Sequence, residues 1–347
     1  MRRLAVFTAL GLACGSPDLD VSTSAATSSS SGAGSPTATP TSSAADSSTG
    51  AITTTGGASG EASSGGGSSD SGEMFVPECH TQLTPEPGLA YVCDLPADLA
   101  ACAAVPGAVC DDLDADGLTD QWEDLLLAAL RPVRRMDEAE QLLADPAAVT
   151  GDVGRVARAG EHFRVYVMLG YSVDYGSCGF TGHNGDSERV ALDLIADPDA
   201  GPGGARVVGA YTAAHENTAS DHSMLFVAAD LDQLVYTVDP RTTHPRWVVY
   251  PSADKHATYA TLAICENISA IPCLDEDCGP DGAPDPALLD ILPPVLNAGE
   301  EAAPRATDLA ALGFPGEDAW APQDFCGGLG GAGCSAPVRD KLLVDPF

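Results

Sequence analysis

Lysine is nearly missing from this 347-residue chain: Lys255 and Lys341 are its only two, against a formal net charge of −34. A surface this acidic argues against nucleic acid as a partner, because phosphates need a basic face. It argues equally against simple electrostatic docking on anionic lipid, and makes cations the natural partners. Aromatic residues are also scarce, and residues 15–72 contain none. The N-terminal apolar stretch Leu4–Leu12 is too short to cross a bilayer. No Gly-x-Ser-x-Gly elbow, Walker loop or internal repeat occurs. The cysteines include no paired Cys-x-x-Cys spacings, which a metal–thiolate site would need.

What is present begins with an export signal. Arg2 and Arg3 form a basic n-region and Leu4–Leu12 an apolar h-region, so residues 1–13 read as a signal peptide. The sequence Leu10-Gly11-Leu12-Ala13-Cys14 resembles a bacterial lipobox, with Gly11 where Leu is usual and Cys14 as the acylated residue. Residues 14–73 are Ser, Thr, Gly, Ala and Pro with a few acids. Such a stretch buries too little apolar surface to offset its ordering entropy, and reads as a disordered tether spanning roughly 40 Å end to end. These features place the chain in the cell envelope, lipid-anchored at the outer membrane or cell surface.

Eleven cysteines less Cys14 leave ten: Cys79, Cys93, Cys102, Cys110, Cys178, Cys265, Cys273, Cys278, Cys326 and Cys334. An even set in an exported chain predicts disulfides, with the pairing left open. Residues 74–111 form a Cys- and Pro-rich lead-in, read as irregular and locally bridged. Residues 112–347 remain for the main domain. Trp122, Leu125, Leu126, Ala129 and Leu130 recur at helical spacing until Pro132 stops the run, and a second short helix fits Asp137–Ala144. Strands are predicted at Phe163–Tyr171, through Val190, Leu192 and Leu194 (half-buried), and at Ala205–Thr212, Met224–Ala228, Leu234–Val238 and Trp247–Tyr250. Helices first and strands after give a mainly β fold: an antiparallel β-sandwich with one or two N-terminal helices and disulfide-bridged loops. The C-terminal third looks loop-rich and bridged.

Asp112-Leu113-Asp114-Ala115-Asp116-Gly117-Leu118-Thr119-Asp120-Gln121-Trp122-Glu123 meets the requirements of an EF-hand-type calcium loop. Ca²⁺ takes about six to eight oxygens. Asp112, Asp114 and Asp116 supply the first three, Leu118 a carbonyl, Asp120 a water-bridged carboxylate and Glu123 a bidentate one, while Gly117 makes the sharp turn. Pro106 and Gly107 leave little room for an entering helix, so the loop resembles the unpaired Asp-rich calcium loops of bacterial surface proteins, with a structural role.

A second constellation is Gly182-His183-Asn184-Gly185-Asp186-Ser187-Glu188. On a strand Asp186 and Glu188 share the face of Val190, and His183 lies in a turn loosened by Gly182 and Gly185. One imidazole and two carboxylates there suit a second divalent cation, Ca²⁺ or Mg²⁺, with open water positions. His215 and His256 are neighbours that could face this site, and His80 and His244 read as ordinary surface residues.

These residues carry a family resemblance. His-x-x-Asp-x-Glu after a Gly is similar to the Gly-His-Arg-His-Asp-Trp-Glu heptapeptide of necrosis-inducing (NPP1-like) proteins and to the His-x-Gly-Asp-Trp-Glu signature of Vps62-like domains. Weaker matches are Gly117–Glu123 with its following helix, and Tyr250–Tyr259. The resemblance implies a β-sandwich core and a divalent ion on His183, Asp186 and Glu188, with Asp174 as fourth ligand. In the NPP1-like toxins that ion helps engage sphingolipid sugar headgroups before membrane damage. Asn184, Gly185 and Ser187 depart from the heptapeptide.

Three functions follow as expectations. The first is a lipid-anchored, cation-dependent surface module that binds a glycan or lipid headgroup and acts on membranes. The second is a metal-dependent hydrolase, with His215 or His256 as general base. The third is a structural envelope protein whose metals serve folding.

Overall fold

The computed structural model describes residues 74–85, 88–138, 140–144, 151–176, 182–216, 221–266, 276–278, 295–312, 318–323 and 336–347, all within one compact unit, Ser68–Phe347. The expected signal peptide, Cys14 and the tether lie outside the described residues, as do Cys178, Cys273, Cys326 and Cys334.

Strands β1 (Cys79–Leu83) and β2 (Leu89–Cys93) form a hairpin closed by a Cys79–Cys93 disulfide. The stretch read as irregular therefore starts with regular structure, and it belongs to the main sheet, since β2 pairs with a strand more than a hundred residues later. A one-turn helix α1 (Leu99–Cys102) follows, capped by the Asp98 carboxylate and tied by Cys102–Cys110. Helix α2 (Asp120–Leu130) starts inside the acidic loop, with Asp120 and Glu123 in its first turn where carboxylates suit the helix dipole. It stops where Pro132 removes a backbone donor.

Next come β3 (Val133–Arg134), a 3₁₀ turn at Gln141–Ala144 in place of the second expected α-helix, β4 (Val153–Ala159), β5 (His162–Asp174), β6 (His183–Ala196) and β7 (Ala205–Thr212). Strands β8 (Met224–Val227), β9 (Val235–Val238), β10 (Pro245–Pro251) and β11 (Thr258–Tyr259) lead to a short helix α3 (Leu262–Glu266), bridged by Cys265–Cys278. The C-terminal part holds β12 (Leu296–Asn297), β13 (Gly299–Glu300), β14 (Ala303–Pro304) and helix α4 (Val338–Leu343).

The large sheet runs β1-β2-β7-β6-β5-β4-β12, with β8 also on β7, and a smaller one joins β11-β10-β3 and β9. The fold is mainly β, but the purely antiparallel sandwich expected from sequence is replaced by a large, curled mixed sheet. β12 pairs parallel with β4, and β3 parallel with β10. Both parallel partners are two-residue strands, too short to show any alternation. The three disulfides are those of a chain that folds in an oxidising compartment.

Both faces of the sheet are covered. Val165, Val167, Leu169, Val190, Leu192 and Leu194 face α2, whose Trp122, Leu126, Leu127 and Leu130 complete the main core with Trp247 and Val249 of the small sheet. Each such aliphatic side chain contributes about 1.5–3 kcal/mol by leaving water. Trp122 Nε1 donates to the Gly203 carbonyl at 2.9 Å, and Gly203 is obligatory because a Cβ there would stand 1.9 Å from Leu95 O. On the opposite face Tyr166, Met168, Ala191 and Tyr211 pack against Leu309, Trp320, Val338 and Leu342. That second core explains why β6 is buried along both faces rather than half-buried as its alternation suggested.

Asp239 pins the β9–β10 turn to the end of α2. Its carboxylate accepts from Arg241 Nη2 at 2.8 Å and pairs with Arg246 Nε at 3.0 Å, while Arg246 Nη1 donates to Ala128 O at 2.9 Å. The Arg241 hydrogen bond, first among its causes, holds Asp239 down to about 2. A depressed carboxylate stabilises the fold above its unfolded pKa and loses that contribution as pH falls through the folded one. Stability should therefore drop between pH 4 and 2. Asp239→Asn should lose about 1–3 kcal/mol at neutral pH and flatten that acid limb in urea titrations run at several pH values; an unchanged limb would exclude Asp239 as its source.

Candidate functional site

Two acidic centres emerge. In the Asp112–Glu123 loop, Gly117 takes φ +87° and donates its N–H to Asp112 Oδ2 at 3.2 Å, and Leu118 N donates to Asp116 Oδ1 at 2.7 Å. These bonds curl the loop so that carboxylate oxygens of Asp112, Asp114 and Asp116 form one group within 4.8 Å of one another, and those of Asp114, Asp120 and Glu123 another. Leu118 buries its side chain in the core. Asp114 and Glu123 are 3% and 0% exposed. Five buried oxygens (Asp112 Oδ1, both of Asp114, Asp116 Oδ2 and Glu123 Oε1) have no hydrogen-bond partner. Burial, then mutual repulsion, pushes Asp114 up to about 6 and Glu123 up to about 9. Orphaned, buried, like-charged oxygens are costly unless a cation joins them, so the donor set fits a hard divalent ion.

The sequence did not reveal what covers this loop. Arg305 reaches Asp120 at 3.4 Å, Glu123 Oε2 at 3.3 Å and Asp124 at 3.0 Å, and Asn297 Nδ2 donates to Asp124 at 3.2 Å.

The second centre lies at the far end of the β5–β6 pair. His183 belongs to the strand rather than to the preceding turn, directly opposite Asp174. Asp186 comes three positions after His183, which in an ideal strand would put them on opposite faces. Gly185 between them adopts φ +64° while the β5–β6 register holds, and ligand atoms of Asp174, His183 and Asp186 gather within 4.8 Å. His183 Nδ1 lies 3.0 Å from Gly185 O. A carbonyl only accepts, so Nδ1 carries a proton, and Nε2 faces Asp174 Oδ2 at 3.4 Å. Burial and repulsion from Asp186 raise Asp174 to about 6.

These three residues, with Glu188, line a cavity of about 290 Å³. Glu188 forms part of the wall but not of the three-ligand group, and burial pushes it up to about 8. His215 also lines the cavity, its Nε2 held at 2.8 Å by Glu276. His256 does not line it. Fully buried, it stands behind Asp186, its Nδ1 3.0 Å from Asp186 Oδ2 and its Nε2 3.4 Å from Glu140 Oε2, stacked on Tyr171 at 3.9 Å. Burial, the largest single influence, opposes charge on Asp186, but the hydrogen bond and charge of His256, with Lys341 and His183, together outweigh it and keep the carboxyl below its ordinary value. Three of the six described non-glycine residues with positive φ (His215, Asp254 and His256) surround this site. Such conformations cost roughly 1–3 kcal/mol each and persist where the surroundings enforce them. His80 and His244 stack on each other at 4.5 Å, away from either centre.

No family model matches this chain, and no curated protein does. A solved structure described as "Toxin fold for microbial attack and plant defense" is 16% identical to it, over 43% of this chain, with a TM-score of 0.24. The chain spans about half the length of that protein, 51%. A superposition of that extent defines no common function, and the chemistry of the cavity stands on its own residues.

Proposed function

We propose that this chain is a divalent-cation-dependent surface binding module. Ca²⁺ in the Asp112–Glu123 loop holds the fold, and a second divalent ion on Asp174, His183 and Asp186 recognises a small polar ligand, a glycan or lipid headgroup. The observation that carries this reading is the geometry of the second centre. Two carboxylates and an imidazole whose Nε2 faces them converge at the edge of a cavity. Too few protein ligands are there to saturate a hard cation, so the remaining positions open onto the cavity and an incoming hydroxyl or anionic oxygen. The N-terminal signal, Cys14 and the tether fit display of this module from a lipid anchor on the cell surface, from which it would reach or perturb a neighbouring membrane.

Metal counting tests it. Native mass spectrometry of the full chain should find two divalent ions; Glu123→Gln should lose one, and an Asp174→Asn/Asp186→Asn double variant the other. A double variant that keeps the wild-type count would remove the ligand-binding centre from the proposal. Hydrolysis is a second reading, favoured by the His215–Glu276 pair at 2.8 Å on the cavity wall, since a carboxylate-oriented imidazole is the usual general base. It requires turnover of chromogenic phosphoester or glycoside substrates that His215→Gln abolishes.

A further inference from the structure

The only two lysines of the chain, Lys255 and Lys341, line the same cavity. They arrive from distant segments: Lys255 from the β10–β11 loop, Lys341 from α4. Many of the described arginines work as planar forks in fixed pairs, as with Arg155 on Glu300 at 2.7 Å, Arg246 on Asp239 at 3.0 Å and Arg305 on Asp124 at 3.0 Å. Arg189, which also reaches the cavity, is likewise engaged, its Nε 2.9 Å from Glu216 Oε2. Lysine differs in kind. Its ammonium is a compact point charge with three donors on a flexible stem, suited to an anion that varies in position.

The placement of both ammonium groups is built, not incidental. Lys255 sits between Asp254 and His256, both held at positive φ. Its Nζ is anchored 3.4 Å from the buried Glu276. The loop is fixed from two sides, by Tyr175 N donating to Asp254 O at 2.8 Å and by Gln141 Nε2 donating to Asp254 Oδ2 at 2.9 Å. Lys341 rides on α4, whose Val338 and Leu342 are buried in the second core, and whose C-terminal carbonyls, Lys341 O among them, accept from Arg189 Nη1.

A neutral polyol would engage the cation alone. An oxyanion can place one oxygen on the metal and accept from the lysines with others, adding to the contacts their ammonium groups already make within the protein. We infer that the cavity recognises a ligand bearing an anionic oxygen group, a phosphate or carboxylate, gripped between the cation at Asp174/His183/Asp186 and the ammonium groups of Lys255 and Lys341. This rests on the cation-site reading above and names the class of ligand for it.

The test is calorimetric titration of the Ca²⁺-loaded full chain with glucose, glucose 6-phosphate and glucuronate, alongside co-sedimentation with vesicles of phosphatidylcholine with or without a phosphoinositide. The charged sugars should bind at least about tenfold more tightly than glucose, and Lys341→Met or Lys255→Met should erase about tenfold of that preference while the bound-metal count stays unchanged. Retention only on phosphoinositide vesicles would assign the anion to a lipid headgroup, and binding of the free sugars alone to a soluble or glycan source. Equal affinity for glucose and its charged forms, no binding by any probe, or an unaltered preference in both lysine variants would overturn the inference. Lysine-dependent anion binding that survives chelation, with no cavity ion in the metal count, would sink the cation-site reading instead and leave the lysines as the binding element.

Discussion

Chelation of divalent ions from the full chain should lower its thermal midpoint by roughly 10 °C, and Glu123→Gln should reproduce most of that loss. Glu123 is fully buried, with Oε1 unpartnered and Asp114 and Asp116 repelling it. If the loop held no ion, Glu123, pushed up to about 9, would be protonated at neutral pH and its near-isostere Gln would be neutral or stabilising. If it holds one, Gln removes the ligand that closes coordination and leaves the other carboxylates uncompensated. Breaking a buried charge pair costs about 3–5 kcal/mol, and in a domain this size each kcal/mol moves the midpoint by roughly 2–4 °C. Calorimetry with and without chelator, on wild type and variant, gives the answer. A variant at least as stable as wild type, with no chelator response in either, would show the loop to be a hydrogen-bonded turn. Calcium should restore the midpoint better than magnesium, which demands tighter octahedral geometry.

His256→Leu should be comparably severe, and should reach beyond stability. The substitution strands Asp186 and Glu140 on either side of a buried apolar side chain, for a loss of about 3–5 kcal/mol. Glu140 itself is committed, its oxygens accepting from Leu142 N at 2.9 Å and Asp254 N at 2.7 Å, so it cannot turn away. Because His256 orients Asp186, cation affinity at the cavity should fall about 10–100-fold while the calcium loop keeps its ion. His256→Asn should be milder, since Asn tolerates the left-handed backbone at φ +60° and keeps one donor for Asp186. Leu and Asn variants that are equally stable, with wild-type metal affinity at the cavity, would show that His256 merely fills space. Adding Glu140→Gln to His256→Leu should recover stability but not metal binding, separating the two roles.

What could be read from the sequence follows the distance over which each feature is built. The acidic loop is contiguous, and its geometry depends on local bonds such as Gly117 N to Asp112, so twelve residues suffice to recognise it. His183, Asp186 and Glu188 are equally local. The strand alternation of Ala205–Thr212 yields its boundaries directly. Other features were hidden. A two-residue strand such as β12 has no period, so the parallel pairings were invisible. β6 was read as half-buried because its second face is covered by Leu309, Trp320, Val338 and Leu342, whose contribution no local pattern announces. Glu140, Glu276, Lys255, Lys341 and Arg305 gain their roles only from neighbours far away in the chain. The scarcity of lysine served in the sequence only to weigh against nucleic acid and anionic lipid, and that both lysines line one cavity emerges only from the fold.

The cover over the acidic loop has a consequence in time. Asn297 and Arg305 close on Glu123 and Asp124 across separations of 173 to 182 residues. A chain emerging N-terminus first presents its Asp-rich loop long before Arg305 exists to shield it. During that interval the loop is an open acidic hook, free to exchange ions with the surroundings. Once β12 pairs with β4 and Arg305 lands, the Glu123 side of the loop is covered. A cation held there would then be taken up more readily by nascent or partly unfolded chains than by folded ones, and would leave folded ones more slowly.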